Sequence, residues 1–304
     1  MKLMADKLVN QLSVVRHWLG KLLRSLKLPQ PQKLKVSFVL SFCKRLFYYF
    51  RIWILMSKNS FMTVLSRKKI LFLFLLGKIL RFSFFTAFIY FLVLGAKGLS
   101  GYTKEQVVFF FLTFSLIDIL SQFLFREVYR FRSLVVTGDL DLVLTKPVST
   151  LFRVLMGGAD VIDFITIPPL LFAVCYVGNL FQPSYLQIFL YILLFFDGFL
   201  VALAFHIAVL ALGILTLEID HSIMIYRDLV ALGKLPIDIY REPLRGILTF
   251  IFPVAIMVSL PAKALMGLVS LQGVFLSLTS AVLTFFVSLR FWNFALKKYT
   301  SASS

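Results

Sequence analysis

Five ionisable residues, Lys78, Arg81, Asp118, Asp197 and His206, stand inside long apolar runs. Charge in a lipid-solvated helix is costly, so such residues point by default to function or to mutual pairing. At a helical rise of ~1.5 Å per residue, Lys78 and Asp118 each fall about 12 Å from one edge of their segments, and Arg81 and Asp197 near the middle. Matched depth predicts two cross-helix pairs, Lys78–Asp118 and Arg81–Asp197. They would act as structural glue, as substrate contacts, or as the proton sites of an ion-coupled carrier; snorkelling of the basic chains is the simpler alternative. Asp160 and Asp163 open a further apolar run, where acids complement a helix N-terminus. His206 has no His or Cys companion, so no metal site is expected.

Other chemistries are poorly supported. Ser and Thr are scattered without a triad order or a nucleophile elbow, so an enzyme is not expected. The Gly-Lys pairs at Gly20, Gly77 and Gly233 are each followed by an apolar residue, so none completes a phosphate-cradling loop. Transport energy must then come from an ion gradient or from a partner. Cys43 and Cys175 form neither a C-x-x-C nor a ligand cluster. The N-terminus lacks the pattern of a cleaved signal peptide.

The elements that would hold these residues follow from composition. Of 304 residues 60% are hydrophobic and 15% charged, with 35 Phe, against roughly 25% charged in soluble domains. The class is an all-α integral membrane protein with no soluble domain. Apolar runs near the ~20 residues needed to cross a bilayer lie at about 70–94, 107–125, 159–181, 187–216, 246–268 and 273–294. Pro168 and Pro169 should kink the third span, and Pro253 and Pro261 the fifth. Residues 5–28 read as a basic amphipathic helix lying in the interface, within an arm at 1–33. A second interfacial helix, within 34–69, follows and connects to the first span.

Charge placement orients the spans. Residues 1–69 hold fifteen Lys or Arg against Asp6 alone, so most of the net +18 lies there. Beside so apolar a chain, that excess points to anionic membrane lipid rather than to nucleic acid. With the N-terminal arm cytoplasmic, the basic loops at 126–158 and 217–245 also fall inside, as does the tail after 294. Both termini are therefore expected on the cytoplasmic side of the plasma membrane. Residues 217–245 read as a helix on the inner surface with a turn at Pro236.

The loop at 126–158 should be a charged helix to about Thr137, ended by Gly138, with Asp139 capping a short apolar element. It is either a hairpin packed on the membrane surface or a docking element for a cytoplasmic partner.

Within it, Gly138-Asp139-Leu140-Asp141, Leu144 and Lys146-Pro147 resemble the "G-x-L-D-x-x-L-x-(K/R)-P" pattern of exporter-type (type 2) ABC permeases. Pro236-Ile237-Asp238-Ile239-Tyr240, Leu244-Arg245, Pro253-Val254-Ala255 and Pro261-Ala262 are similar to a second stretch of that family. The resemblance covers roughly residues 45–298. It implies a transmembrane subunit that pairs with a second permease, identical or related, and rests on two ABC ATPase subunits. ATP and Mg would bind those subunits, and no cofactor would bind this chain. It further implies that Gly138, Asp139, Leu140, Asp141, Leu144 and Pro147 dock the ATPase. Pro236, Asp238, Tyr240, Arg245, Pro253 and Pro261 would lie beside the fifth span.

Overall fold

The computed structural model describes residues 30–95, 99–216 and 219–300, with side chains from Cys43 onward. The expected amphipathic helix at 5–28 lies outside the described residues. Packing divides the chain between Ile52 and Trp53. In the first unit the helical residues Leu46, Phe47 and Phe50 are exposed. Apart from the first helix, which runs through both, all features below belong to the second.

The described residues form helices and no strand. Helix α1 (Gln30–Leu65) precedes α2 (Lys68–Gly95) and α3 (Lys104–Leu124). Three short helices follow: α4 (Phe131–Val136), α5 (Asp139–Leu144) and α6 (Thr150–Leu155). Then come α7 (Val161–Asn179), α8 (Tyr185–Thr216) and α9 (Ile219–Ala231). Two short helices, α10 (Leu244–Ile251) and α11 (Ala255–Leu265), precede the long α12 (Leu271–Lys298). The helices α2, α3, α7, α8 and α12 are each long and apolar enough to cross a membrane.

Burial sorts them. Helix α3 is buried on nearly every side, from Val107 through Phe109–Ile117 to Ser121, as a helix apolar all round must be when it is central. Thr103 and Gln106 close its start with a reciprocal capping box. By contrast α2 buries only Ile89 and Val93, leaving large side chains such as Phe72, Phe84 and Phe91 outward. Helix α12 buries Val274, Ser277, Ala281, Ser288, Trp292 and Ala295, a stripe at three- and four-residue spacing. Small residues there let it approach α8 closely.

The segment from 219 to 265 departs from expectation. Ile219 packs where a side chain on Gly213 would stand. Tyr226 lies against His206 and Phe205, with ring centroids 4.9 and 5.6 Å apart. Val230 shares a cluster with Val201. As α9 advances, its partners on α8 step backwards, so α9 runs antiparallel to α8 through the bundle rather than across one end. It then reaches the α2–α3 connection, where Asp238 accepts a hydrogen bond from Tyr102.

The apolar run at 246–268 is not one span. Helices α10 and α11 are bent by 78°, and Asp238 binds both Arg245 (3.1 Å) and Lys263 (2.7 Å). Two positions held by one carboxylate lie at the same depth, so the pair dips into the bundle and returns. The break falls at Phe252–Val254, where Pro253 has no N–H to donate. The fifth crossing is therefore α9 with the 3₁₀ turn Leu232–Lys234, and residues 217–245 are not a surface segment.

Candidate functional site

At the end of the bundle opposite Tyr102, residues 125–158 fold into a compact knot. Helix α3 stops at Leu124 and a 3₁₀ turn covers Arg126–Arg130, so the expected continuous helix is interrupted there. Glu127 is buried and holds Arg153 at 2.8 Å, tying the turn to α6. Its carboxyl fills the place where a Cβ on Gly157 would stand. Arg126 meets Asp160 at 3.2 Å, and the Asp160 side chain caps α7 by accepting from Ile162 N–H. Tyr129 sits between the guanidinium groups of Arg126 and Arg227, each 5.9 Å from its ring centre. Burial pushes its hydroxyl pKa up to about 12.

Gly138 adopts φ 77°, a left-handed conformation that breaks α4 from α5. The Thr137 hydroxyl donates to Asp139 at 2.7 Å across this corner. Helix α5 then has two faces. Leu140 and Val143 are buried in a cluster with Phe131, Leu210, Trp292 and Ala295. Asp139, Leu142, Leu144 and Pro147 are exposed, beside Val136. Asp141 is half-buried, and its carboxylate together with burial raises the pKa of the neighbouring Tyr299. Leu140 thus anchors the element from within and does not face a partner. Val136 and Leu142, 58% and 61% exposed, lie outside the docking residues expected from sequence; Leu142 stands two positions from the buried Leu140, on the other side of the helix.

The intramembrane charges pair differently from the depth-matched scheme. Lys78 forms an ion pair with Asp163, not Asp118. Asp118 accepts from Gln122 Nε2 at 2.8 Å. Asp197 takes the Ser277 hydroxyl on α12, and no ion pair with Arg81 is formed among the described residues. Depth along a helix says nothing about the direction a side chain points around it. Asp163, in the first turn of α7, turns inward and is buried. His206 Nδ1 faces the Ala202 carbonyl at 2.8 Å. Among the described residues no group of three metal-ligating side chains exists.

Lys78, Arg81, Asp118 and Asp163 all line one cavity of about 560 Å³ between α2, α3, α7 and α9, together with Arg227 and Lys234. Lys234 lies over the rings of Phe85 and Phe114, 5.0 and 6.0 Å from their centres.

The arrangement is a bundle of apolar crossings with a charge-bearing cavity and a folded loop at one end. The family model for "ABC-2 family transporter protein" matches residues 78–303. The chain belongs to that family. No curated protein and no solved structure matches it. As an ABC-2 family transporter protein it is an integral membrane permease subunit. In this permease the second family-like stretch lies at the Tyr102 end. Burial works to raise the Asp238 pKa. Hydrogen bonds from Lys263 and Tyr102 and the charges of Lys263 and Arg245 outweigh that and lower it. The Tyr102 hydroxyl is shifted upwards by burial and by Asp238. Tyr240 donates to the Leu232 carbonyl at 2.9 Å. Pro236 precedes the turn Ile237–Ile239, and Pro261 starts the ordinary α-helical part of α11.

Proposed function

We propose that this permease exports its cargo as a pair with a second permease subunit, driven by two separate ATPase subunits docked on the 126–158 knot. The observation that supports this most directly is the two-faced α5. One face is fixed in the bundle core through Leu140 and Val143, and the other presents Asp139, Leu142, Leu144 and Pro147 outward. An exposed apolar and acidic patch on a rigid base suits a groove on a partner better than a membrane surface, where Asp139 would meet anionic lipid headgroups. On this reading the knot and both termini face the cytoplasm, and ATP and Mg bind the partner. Coupling requires the ATP-bound and ATP-free ATPases to differ in their affinity for the patch. An ion-coupled carrier is supported less well, because Asp163 and Asp197 already hold Lys78 and Ser277.

The test is a pull-down of tagged chain from its native membrane in gentle detergent. ATPase should co-purify with the wild type and be lost from Asp139→Lys/Asp141→Lys and from Leu142→Asp, with thermal unfolding of Leu142→Asp unchanged. Absence of any ATPase from the wild-type preparation would sink the reading.

A further inference from the structure

The cavity between α2, α3, α7 and α9 carries more positive charge than its walls can neutralise. Five basic side chains line it, Lys78, Arg81, Arg126, Arg227 and Lys234, against Asp118, Asp160 and Asp163, an excess of two charges. Asp163 is taken by Lys78 and Asp160 by Arg126. Among the described residues Arg81, Arg227 and Lys234 form no ion pair with a carboxylate; Asp118, which feels the fields of Arg227, Lys78 and Arg81, is bonded to Gln122. Lys234 reaches the level of Phe85, well inside α2, where its ammonium lies over the rings of Phe85 and Phe114 and forms no ion pair with a carboxylate among the described residues. Cations in excess of their counter-charges are costly at that depth, and in membrane proteins they mark the route of a charged ligand.

A second chamber adjoins the first. It measures about 310 Å³, is lined by Ile79, Phe82, Ile119, Pro169 and Leu170, and shares Lys78, Phe82 and Ile119 with the charged cavity. A basic chamber beside an apolar one matches a molecule with an anionic head and an acyl-like tail. Guanidinium groups favour phosphate or carboxylate heads, which they can bind with two parallel hydrogen bonds.

We propose that the cavity is a binding site for an anionic amphiphile, with Arg81, Arg227 and Lys234 holding the head and the Ile79–Leu170 chamber holding the start of the tail. The assignment of this molecule as cargo rests on the permease reading; the binding itself does not.

The experiment measures binding of fluorescent phosphatidic acid, and of phosphatidylcholine with the same chains, to the purified full chain in a neutral detergent. Phosphatidic acid should bind at least tenfold tighter. Arg81→Gln/Lys234→Gln should weaken it tenfold or more, while Arg132→Gln, which removes a charge paired with Asp220 outside the cavity, should leave it unchanged. Arg227→Gln alone serves as a second variant should the double one fail to fold. Equal binding of both lipids, or unchanged binding in the folded variants, overturns the proposal. Displacement by inorganic phosphate at concentrations comparable to the lipid identifies a small-anion site and also overturns it. ATPase co-purification is scored in the same preparations, so loss of lipid binding with ATPase retained refutes this site without touching the permease reading.

Discussion

The Tyr102 hydroxyl donates to Asp238 Oδ2 at 2.8 Å, joining the α2–α3 connection to a turn 136 positions further along the chain. The same carboxylate receives Arg245 and Lys263, so one side chain fixes three parts of the fold at one depth. Replacing it by Asn leaves the half-buried Lys263 ammonium without its counter-charge. We expect Asp238→Asn to cost ~1–3 kcal/mol, read as a lower unfolding temperature in detergent. The Asp238 pKa is held below its unfolded value. The stability it contributes is therefore present above about pH 4 and lost as pH falls through the folded pKa. Wild type should lose stability below about pH 4 more steeply than Asp238→Asn; parallel curves would count against this.

Residue 241 lies beyond the fifth crossing, at the Tyr102 end. In a chain with Cys43 and Cys175 replaced, Arg241→Cys should react with an impermeant maleimide added outside intact cells. A cysteine at the exposed Leu142 should react only after permeabilisation. Labelling of Arg241→Cys only after permeabilisation would restore the surface-helix reading of 217–245.

Gly198 on α8 sits where a Cβ would collide with the backbone carbonyl of Met257, whereas Gly77 on α2 has open space around its Cα. Backbone cannot step aside as a flexible side chain can. Gly198→Ala should destabilise by ~1–3 kcal/mol, and Gly77→Ala should be neutral or up to ~1 kcal/mol stabilising. Thermal unfolding of the two variants side by side decides it.

Lys78 and Asp163 should behave as a unit. Lys78→Met strands a carboxylate that is 4% exposed and should cost ~3–5 kcal/mol, the scale of breaking a buried pair. Lys78→Met/Asp163→Leu should recover most of that loss. A double-mutant cycle showing simple additivity would refute the coupling.

Much of the plan was legible in the residues. The apolar runs became α2, α3, α7, α8 and α12, Asp160 caps α7, and Gly138 turns left-handed where a helix had to stop. The fifth crossing was hidden by its own chemistry. Between Ile219 and Lys234 stand Asp220, His221, Arg227, Asp228 and Lys234, too polar for a lipid-facing helix. The segment crosses because Tyr226 packs on α8 while Arg227 and Lys234 lie against aromatic faces in the cavity. The run at 246–268 misled for the opposite reason: its composition suits a span, but the break at Phe252–Val254 folds it back. Side-chain azimuth was illegible too, since residues matched in depth, such as Arg81 and Asp197, point to different neighbours.

The buried side of α5 has a mechanical consequence. Leu140 shares its packing with Leu210 on α8 and Trp292 on α12, and close-packed interiors have low compressibility. A displacement applied at Asp139 therefore has little slack to absorb it before reaching these two long crossings. On the proposed docking reading the knot would serve as a handle set into the bundle, and strain at its tip would be passed to α8 and α12.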